Sequence, residues 1–271
     1  MRCTVDFMRT ADSVRTKSAR RSRTLVAVQR LQTVKPQVRV DFDGIGPGQG
    51  HAQILGDQEG LAHAAPEPGP HSRATGLAGW MTCMGDVLLV RHGETEWSRS
   101  GQHTGVTDLP LTSVGEQQAK VLAPLLAARP VVAAFCSPLE RAARTAVLAG
   151  LAPVVLPDLI EWDNGDYEGR TTQQVRQDRD AWWLWTDGAP GGESWQQVQP
   201  RCERVLAVVR PLLAGGDVAL VGHGHALRAL TAVWLGLPAY QGGLFTQEPA
   251  SLAVLGSYHD HNVVKAWGLQ P

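Results

Sequence analysis

Two short apolar runs in this chain end in the same way. Val87-Leu88-Leu89-Val90 stops at Arg91-His92-Gly93, and Val218-Ala219-Leu220-Val221 stops at Gly222-His223-Gly224. A continuous apolar run of this length, closed by polar and glycine residues, is the pattern of a strand buried on both faces. Reactive groups in open α/β sheets collect just beyond the carboxyl ends of such strands. Taken alone, Arg91-His92-Gly93 has two readings. It is either a capped strand end with a solvated histidine, or an imidazole able to attack phosphorus beside a guanidinium able to hold phosphate oxygens.

From Val87 onward, strand-like and helix-like segments alternate. Thr112 to Leu126 reads as a helix with Thr112 as its N-cap, Val131 to Cys136 as a second buried strand and Pro138 to Leu148 as a helix with Arg141 in its first turn. Val154 to Leu156 is a short strand, Ser194 to Leu213 a long amphipathic helix, and Asp217 to Val221 another strand. A helix over about 225–235 and strands near 251–256 and 263–267 close the chain. This alternation predicts a three-layer α/β/α sandwich with a mostly parallel sheet. If the two histidine-ending strands are neighbours, His92 and His223 emerge side by side. Gly93 and Gly224 then let backbone approach a ligand, because they lack a Cβ. Arg141, at a helix N-terminus, adds a guanidinium where unpaired N–H groups already attract anions. Phosphate is the ligand that suits this rim.

The first 80 residues read differently. Among the first 40, ten are Lys or Arg against only Asp6 and Asp12. The segment shows no sustained periodicity and contains Ala64-Ala65-Pro66-Glu67-Pro68-Gly69-Pro70. Three explanations compete: a disordered basic tail, a targeting sequence, or a stretch upstream of the true start. The third is preferred, because Met81 and Met84 stand just before the first convincing strand. Residues 81–271 then form the domain. Four scattered cysteines, Cys3, Cys83, Cys136 and Cys202, lack zinc-site pairing and disulfide density, which points to reduced thiols in a cytoplasmic protein. No segment is apolar enough to suggest a membrane span or a signal peptide. Nucleic acid is a poor fit, since the basic segment lacks interleaved aromatics and the remainder is acidic.

In order along residues 86–267, the chain resembles the histidine phosphatase superfamily, which includes cofactor-dependent phosphoglycerate mutases and many phosphatases. The resemblance rests on Arg91-His92-Gly93-Glu94-Thr95-Glu96-Trp97, Thr104-Gly105, Leu111-Thr112 with Gly115 and Gln118-Ala119, and Ser137-Pro138-Leu139 with Arg141-Ala142. It continues through Glu161 with Gly165-Asp166-Tyr167-Glu168-Gly169, then Gly192-Glu193-Ser194 and Val221-Gly222-His223-Gly224. It implies a phosphoglycerate mutase-like fold. It also implies that His92 is the nucleophile that becomes phosphorylated, that Arg91, Arg141 and His223 form the phosphate pocket, and that Glu161 is the proton donor. No metal or cofactor is implied. Ser98 stands where many members have asparagine, and a hydroxyl there can still donate to phosphate. Thr104 is a second candidate donor.

Other residues have plainer readings. His225 makes a His-x-His pair with His223, but ligands with metal spacing do not accompany it, so it is expected to line the pocket or cap the next helix. His103 is either solvated or a substrate contact, and Arg228 reads as a surface or supporting charge. His259 and His261 read as surface residues in a turn. Trp162, Trp182, Trp183, Trp185 and Trp195 fall in the family's lid segment, so one or two of them facing substrate would favour an aromatic or apolar leaving group. Between Glu161 and Gly192 only about thirty residues intervene, and acidic residues outnumber basic ones, whereas mutases carry a long basic insertion there. The expectation is therefore a phosphomonoester hydrolase acting on a small phosphorylated metabolite. The alternatives are a mutase and a non-catalytic phospho-ligand-binding protein on the same fold. The C-terminal strands leave room for a homodimer.

Overall fold

The computed structural model describes residues 84–270, so the expected extension over 1–80 lies outside the described residues. Along the chain run β1 (Val87–Arg91), α1 (Glu96–Ser100), α2 (Ser113–Val121), α3 (Ala123–Ala127), β2 (Val131–Cys136), α4 (Glu140–Leu148) and β3 (Val154–Val155). They are followed by α5 (Thr172–Asp178), α6 (Leu184–Asp187), α7 (Trp195–Val209), β4 (Asp217–Gly222), α8 (Gly224–Trp234), β5 (Leu252–Tyr258) and β6 (His261–Leu269). The six strands form one sheet in the order β3-β2-β4-β1-β5-β6. β4 inserts between β2 and β1 and runs parallel to both, and β3 pairs parallel to β2. The β5–β6 hairpin adds an antiparallel margin on the side of β1.

The unbroken apolar character of β1 follows from its place inside the sheet. Val87 and Leu89 face one cluster, with α7 residues Val198, Val205 and Leu206 and α8 residues Leu227 and Leu230. Leu88 and Val90 face the other, with Leu122 and Leu126 of the α2–α3 segment and Ala142 and Ala146 of α4. Alternation along a strand thus feeds two cores, which makes three layers. The four apolar β1 side chains, Val87 to Val90, are fully buried, each worth roughly 1.5–3 kcal/mol against exposure. Pairing of Arg91 with Gly222 and of Cys136 with Val221 brings the carboxyl ends of β1, β4 and β2 level. His92 and His223 therefore leave the sheet together.

Some boundaries move for physical reasons. The helix expected over 112–126 divides at Leu122, because Pro124 in the first turn of α3 has no N–H to continue the ladder. Thr112 does cap α2, accepting from the Gly115 N–H at 3.0 Å. The long helix stops at Val209, one residue before Arg210-Pro211, and a 3₁₀ turn covers Arg210–Ala214. α4 begins at Glu140 rather than Pro138. No helix among the described residues is long and apolar enough to cross a membrane.

Candidate active site

β1 delivers His92 to the rim, where its backbone N–H donates to the Gly222 carbonyl at 2.9 Å and locks it to the end of β4. The side chain is only 4% exposed. Nδ1 lies 2.7 Å from the Gly93 carbonyl, which can only accept, so Nδ1 carries the proton and Nε2 keeps its lone pair. Burial, reinforced by the Arg91 and Arg141 guanidinium groups, drops the imidazole pKa to about 3. His92 is thus a neutral imidazole at any ordinary pH, with the tautomer a nucleophile needs.

Arg91 donates from Nη1 to the Gln247 carbonyl, while its buried Nε has no hydrogen-bond partner. A buried guanidinium N–H without an acceptor is costly, and an anion would satisfy it. Arg141 is fully buried on α4. Its Nε donates to His223 Nδ1 at 3.1 Å, Nη1 to the Thr107 carbonyl at 2.9 Å and Nη2 to the Gly105 carbonyl at 2.8 Å. Two of its five N–H groups are left for a ligand. Because His223 Nδ1 accepts from Arg141, its proton sits on Nε2, which donates to Ser137 Oγ at 2.7 Å. The two histidine rings lie 5.2 Å apart at 57°. Burial first, then Arg141, holds His223 well below the usual histidine range. Arg141 and His223 are not among the residues that line the pocket.

Glu161 sits at the start of α8. Its Oε1 accepts from the Ala226 and Trp162 N–H groups, both at 2.8 Å, and Oε2 accepts from the His225 N–H at 3.1 Å. His225 Nδ1 stands 3.7 Å from Oε2. Burial pushes this carboxyl up. The His225 hydrogen bond, the charges of His225 and His223 and the Trp162 N–H outweigh burial and hold the group well below the usual carboxylate range. The expected proton donor is therefore held as an ionised cap of α8.

The pocket above these groups has a volume of about 210 Å³. Arg91, His92, Glu161, Ser98, Thr104, Gly224 and His225 all line it, as do Gly101, Gln102, His103 and Arg228. Ser98 has its hydroxyl committed to the α1 cap, accepting from the Thr95 N–H at 2.9 Å and donating to the Thr95 carbonyl at 3.0 Å. Thr104 Oγ1 is held only by a 3.4 Å contact to the Gln102 carbonyl and is the freer donor.

Packing also requires both glycines. A Cβ on Gly93 would come within 2.3 Å of the Gly115 carbonyl oxygen, and one on Gly224 would press on the Arg91 guanidinium at 3.3 Å. His223 and His225 point to different partners, as alternate residues past a strand end do, and no group of three or more His, Cys, Asp or Glu among the described residues is arranged to hold a metal.

The tryptophans correct another expectation. Trp162, Trp182 and Trp185 are buried in the core, and none of the five lines the pocket. Their bulk packs into the core cluster beside α7 and α8. Trp162 Nε1 donates to the Glu193 carbonyl at 2.9 Å and Trp182 Nε1 to the Gly188 carbonyl at 2.7 Å. Arg228, read from sequence as a surface or supporting charge, instead stands on the pocket wall. His103 also faces it, with its ring edge-on to Trp182 and its Nε2 3.1 Å from Thr172 Oγ1. His225 lines the pocket as expected, and His259 and His261 are exposed.

The protein-family model of the histidine phosphatase superfamily, branch 1, matches residues 87–270. An acid phosphatase of Mycobacterium tuberculosis is 40% identical over 188 residues, covering 68% of this chain and 92% of that protein. A protein of Photorhabdus laumondii described as a probable phosphoglycerate mutase is 32% identical over 191 residues, covering 67% of this chain and 89% of that one. The solved mycobacterial glucosyl-3-phosphoglycerate phosphatase, in its vanadate complex, superposes with a TM-score of 0.62 at 30% identity, covering 69% of this chain and all of that one. The chain belongs to branch 1 of the histidine phosphatase superfamily.

Proposed function

We propose that this enzyme hydrolyses phosphomonoesters through a phosphohistidine on His92. The observation that carries the reading is the tautomer of His92: Nδ1–H is fixed on the Gly93 carbonyl, so Nε2 offers a lone pair beside the unpartnered Nε of Arg91. Nε2 attacks phosphorus, an N–P bond forms and the ester P–O bond breaks. Arg91, the spare N–H groups of Arg141, and Thr104 meet the charge on the equatorial oxygens. The leaving alkoxide takes a proton from Glu161. Its N–H partners hold that carboxyl ionised, and the negative charge of an arriving phosphate raises its affinity for the proton it must deliver. Water then attacks phosphohistidine, Glu161 accepts its proton, the N–P bond breaks and phosphate leaves.

Hydrolysis rather than transfer to a second substrate is supported by the short, acid-rich segment between Glu161 and Gly192, and by the names of the acid phosphatase and the glucosyl-3-phosphoglycerate phosphatase among its relatives. The substrate is a small phosphorylated metabolite. The test is turnover of p-nitrophenyl phosphate with and without EDTA, in the wild type and in His92→Ala. Turnover should survive EDTA and fall by roughly 10³-fold or more in the variant. Activity that persists in His92→Ala, or that EDTA removes, would overturn the mechanism. Efficient interconversion of 3- and 2-phosphoglycerate in the presence of the bisphosphate would establish the mutase instead.

A further inference from the structure

The Gly192-Glu193-Ser194 motif takes no part in phosphoryl transfer itself, yet Glu193 meets the segment that carries the proton donor at several points. Ile160 to Asn164 belongs to no helix or strand, so no regular ladder of backbone hydrogen bonds fixes it. Glu193 supplies what the ladder would. Its N–H donates to the Asp163 carbonyl at 3.0 Å, its carbonyl accepts from Trp162 Nε1 at 2.9 Å, and its Oε2 accepts from the Asp163 N–H at 3.0 Å. Ser194 is the N-cap residue of α7, which carries Arg201 about two turns further on. Arg201 is buried, at 6% exposure. Its Nη2 donates to Glu193 Oε2 at 2.7 Å, and its Nη1 donates to the Asp158 carbonyl at 3.0 Å and the Ile160 carbonyl at 2.5 Å.

Apart from the ion pair itself, these bonds land on Asp158, Ile160, Trp162 and Asp163, on both sides of Glu161. The carboxyl between them must meet the His225 and Ala226 N–H groups of α8 and also line the pocket. A general acid works only within hydrogen-bond reach of the leaving oxygen, and a displacement of about 1 Å can cost on the order of 10²-fold. Neither Glu193 nor Arg201 lines the pocket. Their bearing on the reaction therefore runs through the residue they enclose.

We infer that the Glu193–Arg201 pair is a positioning brace for Glu161, holding the proton donor in place without touching substrate. This rests on the phosphatase reading, in which Glu161 protonates the leaving group. The test uses two esters that differ in that need: p-nitrophenolate departs as a stable anion, whereas the alkoxide of glycerol 1-phosphate requires the proton. The quantity compared is kcat/KM, which counts steps only as far as cleavage of the ester P–O bond. In Glu193→Ala, kcat/KM for glycerol 1-phosphate should fall by about tenfold or more, while that for p-nitrophenyl phosphate stays within about threefold of wild type. Glu193→Gln, which keeps one acceptor oxygen, should show the same split at smaller size. Equal losses on both esters, or no loss on glycerol 1-phosphate, would overturn the brace.

Glu161→Gln separates the brace from the reading beneath it. It should show the larger split, and adding Glu193→Ala to it should cost little more on glycerol 1-phosphate, because a residue that acts through Glu161 has nothing left to hold. Additive losses would overturn the brace and leave the proton donor standing. No split in Glu161→Gln would overturn the proton-donor role, and the brace with it. All rates are read well below each variant's melting midpoint, so that loss of fold does not enter. If Glu193→Ala does not fold, Glu193→Gln decides: a split in the same direction supports the brace, and its absence overturns it.

Discussion

At the amino ends of β1 and β4, Asp86 and Asp217 are matched by cations. Arg129 reaches Asp217 at 2.6 Å and Asp86 at 2.7 Å, Lys265 reaches Asp86 at 2.7 Å, and the Asp86 N–H donates to Asp217 at 2.8 Å. At the carboxyl ends of the same strands, Arg91, Arg141 and two histidines crowd together; Asp108 comes no closer than 3.9 Å to Arg141, and the Glu161 carboxylate is occupied by α8. The same two strands thus end in a closed charge network at one rim and an excess of positive charge at the other. The closed rim can only stabilise the fold. The open one leaves the buried Nε of Arg91 without an acceptor, a demand that an anion would meet and that a structural clamp does not have.

Breaking the open rim should have the largest effect. Arg91→Gln should lower kcat/KM by about 10²–10³-fold, because a preset donor to the transferring phosphoryl group is gone. Its thermal midpoint should no longer rise on adding inorganic phosphate, which in the wild type, at about 100 times Kd, should add roughly 2.7 kcal/mol. A phosphate shift of undiminished size in the variant would mean that Arg91 does not hold the anion. At the closed rim the pattern should invert. Asp217→Ala strands Arg129 and the Asp86 N–H and should cost about 3 kcal/mol of stability in urea unfolding. Its turnover at low temperature should stay within about twofold of wild type, since ordinary substitutions far from a site act independently of it.

A smaller effect sharpens the comparison through pH. His92, at about 3, and His223, well below the ordinary value, bind protons less readily in the folded protein than in the unfolded chain, where the value is about 6.5. As pH falls below about 6.5 the unfolded chain gains protons that the folded one refuses, so stability falls. Glu161 adds nothing between pH 6.5 and 4.5: its stabilising contribution is fully present above the unfolded carboxyl value and is lost only well below it. Thermal melts should therefore show a midpoint declining from pH 6.5 to 4.5, with a shallower slope in His223→Asn. A flat midpoint over that range would mean that the rim histidines are hydrated and ordinary.

Much of this was readable from the chain. The period of burial in β1 and β4, the Thr112 cap and the order of the motifs are local properties, set by strand alternation and backbone hydrogen-bonding demands. His92, Arg91, Arg141, Glu161 and His223 do converge. What misled were readings that depended on which neighbour a side chain meets. The position of the tryptophans suggested that one or two of them face substrate, yet Trp162, Trp182 and Trp185 are core and none of the five lines the pocket. Arg228 looked peripheral and faces the pocket.

The sequence alone determined that two buried strands would end in histidines, and that those histidines would share a rim if the strands were neighbours. Only the tertiary structure decided the state of each group there. Glu161 meets the α8 N–H groups across more than sixty residues, and Arg141 meets His223 across 82. Such partners are fixed by packing, not by spacing along the chain. They set which nitrogen of His223 carries a proton, where Glu161 keeps its charge, and which guanidinium is left facing the ligand.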